Sequence, residues 1–201
     1  MMSETESTTA TRQSSNLDSV EAPRPYVVMV AVMVALWCLG FAEISVWFEL
    51  TDHFATGQHA RDASAISVMN WFVASLKLVG CGVALLAGHR RLVAPRVVGT
   101  VLWAAFATLT VYVLGSIAEA LAMLTGVAGD ADRLDAASVG YVVAFGLGAG
   151  GFGVLATSHA RRARLDARVK VLGACGAPLV LGTVLVILPA LLRSVGLLSA
   201  T

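Results

Sequence analysis

Apolar residues run along this chain in five long blocks, 26–48, 68–86, 97–120, 139–157 and 172–192. None shows the strict alternation of a half-buried strand, and each is close to the roughly 20 residues that carry a helix through about 30 Å of hydrocarbon. Backbone N–H and C=O groups find no partner in lipid, so such blocks form helices. Strands of about ten alternating residues are absent, which excludes an outer-membrane barrel. The pattern predicts an all-α fold, a polytopic transmembrane bundle of five spans over residues 23–201.

Composition agrees. The 201 residues are 57% hydrophobic and 13% charged, against about 25% charged in soluble domains. Cys38, Cys81 and Cys175 all lie inside apolar blocks. An odd number at such positions reads as packing residues, not as a disulfide framework. Residues 1–22 are polar, rich in Ser and Thr and free of aromatics, and are expected to form a disordered cytoplasmic tail. This acidic start does not resemble a signal peptide, so the first block is expected to be retained as a span.

Charge sets the orientation. Arg90, Arg91 and Arg96 follow the second block, and Arg161, Arg162, Arg164, Arg168 and Lys170 follow the fourth. Arg12 and Arg24 in the tail lie on the same side, while only Arg61, Arg133 and Arg193 lie on the other. The connectors on that second side carry Glu49, Asp52 and Asp62, then Asp130, Asp132 and Asp135. Basic connectors stay in the cytoplasm, which predicts a multi-pass protein of a bacterial plasma membrane with its N-terminus in and its C-terminus out. Trp47, Trp71 and Tyr141 fall where an outer aromatic belt belongs.

Lys77 stands near the middle of the second block. A central charge costs about 2.5–3.5 kcal/mol on insertion scales, so it faces a partner or a wet cavity. Glu43, on the preceding antiparallel helix, is the first candidate partner, and Glu119 is the second. Thr108, Tyr112, Ser116 and Glu119 share one face of the third helix, and Asn70, Ala74, Lys77 and Cys81 share one face of the second. Two readings stay open. In one, Glu43, Lys77, Glu119, Asn70, Tyr112 and Ser116 line an intramembrane site in which a carboxylate titrates beside the lysine. In the other, which the bare spacing favours, Glu43 and Lys77 form a buried pair that fixes helix register. The pair predicts that Glu43→Gln restores assembly lost in Lys77→Met.

Other motifs weigh less. Gly146, Gly148 and Gly151 match GxGxxG, but a dinucleotide site needs a strand before and a helix N-terminus after, and these glycines lie mid-block. Gly146 and Gly150 read better as a close-approach face for a neighbouring helix of the same chain or of a second copy. Asp52, His53, His59 and Asp62 have no strong metal-ligand spacing and read as a solvated loop. His89 and His159 border basic loops and are expected at the interface. Arg161, Arg162, Arg164, Arg168 and Lys170 could grip anionic lipid headgroups, although positive-inside topology alone explains them. No aromatics interleave these charges, so no nucleic-acid partner is expected. Pro178 and Pro189 are weak helix breaks, with Pro189 expected to kink or end the last span. No catalytic pairing is visible, and neither a cofactor nor a metal is implied.

The segments ALWCLGF (35–41), LLAGHRR (85–91) and LWAAFATLTVYVLGSIAEALAMLTGV (102–127) are followed by an acidic loop and a Gly-rich helix ending in arginines. Across residues 30–165 this order resembles an actinobacterial family of small four-helix integral membrane proteins, a domain of unknown function. The chain departs from it in lacking a Trp and Pro early in the fourth helix and in adding a fifth span. The resemblance implies a fold and no activity. Ala42-Glu43 in the first helix is also similar to small multidrug-resistance transporters, chains about half as long with no counterpart to the remaining helices. Taken together, these features lead us to expect a non-enzymatic structural or accessory subunit whose partners are the bilayer and a membrane protein or a second copy. The alternative is a small proton-coupled transporter or channel-like protein. A membrane-embedded enzyme ranks last.

Overall fold

The computed structural model describes residues 22–53, 63–127 and 135–183, with isolated positions as far as 194. They form five helices, α1 (Pro25–Leu50), α2 (Ala63–Gly88), α3 (Pro95–Leu124), α4 (Ala136–Arg162) and α5 (Ala167–Gly182), and no strand occurs among the described residues. The first four are long and apolar enough to cross a membrane. Each extends a few residues past its expected span at both ends. A 26-residue helix reaches about 39 Å, which leaves its last turns at headgroup level. α5 opens ahead of the fifth expected span, and much of that span, Pro189 included, lies outside the described residues. So do residues 1–21 of the tail, His59 and Asp62.

Helix ends follow local chemistry. Pro25 and Pro95 open α1 and α3, where a missing N–H costs nothing. Ala94 takes a left-handed φ of 40°, and the ring of Pro95 disfavours the right-handed helical region for the residue before it, so α3 does not extend back through Ala94. The Asp135 side chain caps α4 by accepting from the Ser138 N–H at 2.8 Å. α4 ends in paired back-bonds, Arg164 N–H to Arg161 O and Leu165 N–H to Ala160 O, with Arg164 at φ 49°. That is a Schellman ending with arginine where glycine is usual.

α1 packs chiefly on α2, α4 joins α1 to α3, and α5 lies on α3. The core gathers at one end of the bundle. Val27, Ala31, Val34 and Cys38 of α1 meet Cys81, Ala84 and Ala87 of α2, Val98 and Leu102 of α3, and Phe152, Leu155 and Ala156 of α4. These are the ends beside the basic connectors. Toward the other end only the α1–α2 contact stays buried: after Leu102 on α3, and before Gly148 on α4, no described residue is buried. The outer faces carry Met29, Met33, Leu36, Leu114, Leu121 and Leu147 in the open. Such continuous apolar exposure suits lipid and would drive aggregation in water.

The α1–α4 crossing corrects the same-chain half of one expectation. A Cβ at Gly148 would lie 2.9 Å from the Trp37 ring, and one at Gly151 would overlap Val34. These glycines let α1 approach. Gly146 and Gly150, the pair expected to do so, each have nothing within 4 Å of an added Cβ. At 100° per residue they stand about 200° from Gly148 and look away from α1. All four lie within helix α4, which removes the strand that a dinucleotide fingerprint needs.

Candidate functional site: a polar seam between the first two helices

α1 presents Cys38, Ala42, Ser45 and Glu49 on one stripe, and α2 answers with Ser67, Asn70, Ala74, Lys77 and Cys81. Cys38, Ala42 and Ser45 of one stripe and Ala74 and Cys81 of the other are buried, which brings the two helices close enough for their polar side chains to meet. Lys77 Nζ donates to the Phe41 carbonyl at 2.9 Å and to Ser45 Oγ at 2.8 Å. It also stands 5.7 Å from the centre of the Phe41 ring, within range of a cation–π attraction. Asn70 Nδ2 donates to the Ser45 carbonyl and to Glu49 Oε1, both at 2.7 Å. Ser67 Oγ donates to Glu49 Oε2 at 2.6 Å. Ser45 thus ties the two ends together, taking the lysine on its hydroxyl and the asparagine on its carbonyl.

This geometry changes the partner of Lys77. Glu43 is exposed on α1, and among the described residues it makes no contact with the lysine. It sits two residues from both Phe41 and Ser45, so it falls about 200° around the helix from each. Depth along the helix alone made it look suitable, whereas angular position excludes it. Of the residues expected at an intramembrane site, Asn70 and Lys77 share this seam, each bonded to Ser45. Ser45, Glu49 and Ser67 join them; the 4-3-4 spacing of Cys38, Ala42, Ser45 and Glu49 is the signal for the two on α1, and Ser67 carries none of its own.

Tyr112, Ser116 and Glu119 belong elsewhere. They line a cleft of about 370 Å³ between the second half of α3 and the first half of α4. Tyr112 also closes an aromatic cluster, with its ring 4.7 Å from Phe145, which in turn meets Phe41 and Trp37. Trp37 Nε1 donates to the Ala144 carbonyl at 3.0 Å. This cluster joins the α1–α2 pair to the α3–α4 pair, and it separates the seam from the cleft. The six residues expected to share one site therefore divide among the seam, the cleft and, for Glu43, an exposed face.

The basic end holds a second polar junction. Arg162, at the end of α4, donates from Nη1 to the Ala87 carbonyl at 3.0 Å, and from Nη2 to the carbonyls of His89 and Arg90 at 3.1 and 3.3 Å. It caps the C-terminus of α2, where unpaired carbonyls and the helix dipole favour a cation. His159 is buried, and its Nε2 lies 3.0 Å from the Pro95 carbonyl, a contact that requires the proton on Nε2. Arg162 is thus committed to protein carbonyls and His159 is withdrawn from the interface expected of it. Arg161, Arg164 and Arg168 are exposed and Lys170 is half-buried, which leaves them available to headgroups. Leu165, in the α4–α5 turn, packs where Gly99 lacks a side chain.

Of the loop residues considered for metal, Asp52 and His53 are described, and His53 stacks on Phe48 with ring centres 4.7 Å apart. Among the described residues no three His, Cys, Asp or Glu side chains converge to hold a metal ion.

The seam's hydrogen bonds join one helix directly to the next. Such an arrangement fixes rotation and register. Compared with protein-family models, curated proteins and solved structures, the chain gives no significant match.

Proposed function

We propose that the chain is a non-enzymatic structural or accessory subunit of a membrane assembly in a bacterial plasma membrane. It crosses the bilayer five times, with its N-terminus inside and its C-terminus outside. Kinship with the actinobacterial four-helix family belongs to the same reading. The observation that carries the proposal is the bonding of Lys77 to two neutral oxygens, Phe41 O and Ser45 Oγ. A lysine at a transport site is expected to face a carboxylate or a wet cavity. Here the charge is spent on holding two helices in register. The separation of Glu43, Lys77 and Glu119 speaks in the same direction, because no single path passes all three.

Native-membrane purification and proteoliposome assays together test this. The expected outcome is a stoichiometric membrane-protein partner or second copy that stays bound in Glu43→Gln, with no substrate-dependent proton movement by the reconstituted chain. Proton movement that Glu43→Gln abolishes would establish transport instead.

A further inference from the structure

The α3–α4 cleft has a chemistry that the seam does not use. One wall comes from Tyr112, Ser116, Glu119 and Met123 of α3 and the other from Ser138 and Tyr141 of α4, with aliphatic side chains between them. Its volume of about 370 Å³ falls at the lower end of the range usual for small-molecule sites. From Tyr112 to Met123 it follows α3 for about 16 Å. That matches one leaflet, about half of a 30 Å hydrocarbon core.

The charge in this groove has one sign. Glu119 is the only ionisable acid or base with a charge near neutrality among the lining residues, which include no lysine, arginine or histidine. Asp135 caps the helix that brings Ser138 to the mouth, adding a second carboxylate at that end. The hydroxyls of Tyr112, Ser116, Ser138 and Tyr141 supply hydrogen-bonding groups along a wall that is otherwise apolar. Length, apolar walls and an anionic mouth together describe the complement of a chain-bearing molecule whose head ends in a cationic group.

We infer that this cleft is a binding site for a single phospholipid of the leaflet beside the α3–α4 connector, one whose headgroup ends in a primary ammonium. The acyl chain lies along α3 toward Tyr112, and the ammonium is held by the Glu119 carboxylate with the Ser116 and Ser138 hydroxyls nearby. No described residue of α3 after Leu102 or of α4 before Gly148 is buried, so the groove faces the bilayer and the lipid enters from it without passing through water. This goes beyond the accessory role, since it assigns a ligand to a site that the α1–α2 seam does not touch.

The test is native mass spectrometry of the full chain in a neutral detergent, titrated with dioleoyl phosphatidylethanolamine. Wild type is expected to retain one ethanolamine lipid, Glu119→Gln to lower that adduct by about tenfold, and Glu43→Gln to leave it unchanged. Both glutamates are exposed on helices, so neither change disturbs packing, and Glu43 controls for a carboxylate at membrane depth outside the cleft. Equal adducts in wild type and Glu119→Gln would overturn the inference, as would equal loss in the two variants. Wild type that takes up no ethanolamine lipid, as when a partner helix fills the groove, would overturn it as well.

Discussion

Lys77 illustrates how little of an intramembrane contact is set by depth. Two residues along α1 separate Glu43 from both Phe41 and Ser45, and that offset turns the carboxylate to the far side of the helix. Replacing Ser45 by alanine is therefore expected to weaken α1–α2 association by about 0.6–1.7 kcal/mol, the span from the average to the largest cross-helix hydrogen bond measured in membranes. Glu43→Gln is expected to leave stability unchanged, and it is not expected to rescue Lys77→Met. Reversible unfolding in bicelles, run as a double-mutant cycle over Ser45 and Lys77, checks this: coupling within that pair and none with Glu43. At the α3–α4 connector, hydrogen bonding from the Ser138 side chain and then from the Ser138 N–H holds the Asp135 carboxyl below the usual carboxylate range. A lowered folded-state value means that the cap stabilises the helix above the ordinary aspartate range and is lost as pH falls through the lowered value. Hydrogen exchange in the first turn of α4, corrected for intrinsic rates, should quicken through that acidic window, and Asp135→Ala should remove the pH step.

Along whole helices, the sequence was most legible where the signal is long. Four apolar blocks became α1 to α4 because twenty successive residues all report the same solvent. Contacts that depend on one helix's rotation against another were harder to read. Gly146-x-x-x-Gly150 is a close-approach motif, yet Gly148 and Gly151 do the work, since the face toward α1 is chosen by Trp37 and Val34 on a helix distant in sequence. Gly148→Ala and Gly151→Ala are accordingly expected to cost about 1–3 kcal/mol by overpacking, while Gly146→Ala and Gly150→Ala cost nothing within one chain. Thermal denaturation in detergent separates the two pairs. The seam was half legible: the α2 stripe of Asn70, Ala74, Lys77 and Cys81 stands out because Lys77 draws the eye. Ser45 is marked only by its place on the stripe from Cys38 to Glu49, and Ser67 only by its partner Glu49.

For the molecule as a whole, the buried core and the Arg162 junction lie at the same end, so the bundle is tied at the basic connectors and opens toward the acidic ones. Arg162 holds three carbonyls from the α2–α3 connection, and a lysine there has no planar fork with which to reach them. Arg162→Lys is expected to lower the melting temperature in detergent and to quicken proteolysis between residues 88 and 95, whereas Arg161→Lys, on an exposed side chain, changes neither. The basic surface left over, Arg161, Arg164 and Arg168, is part of the charge asymmetry from which the proposed orientation is drawn. That orientation is the premise on which the accessory role and the placing of both polar sites rest. Dual reporter fusions after residue 57 and after residue 165, read in intact cells, test it most directly. The account predicts an extracytoplasmic signal at 57 and a cytoplasmic signal at 165; a reversed pair, or a chain recovered from the aqueous fraction without detergent, contradicts it.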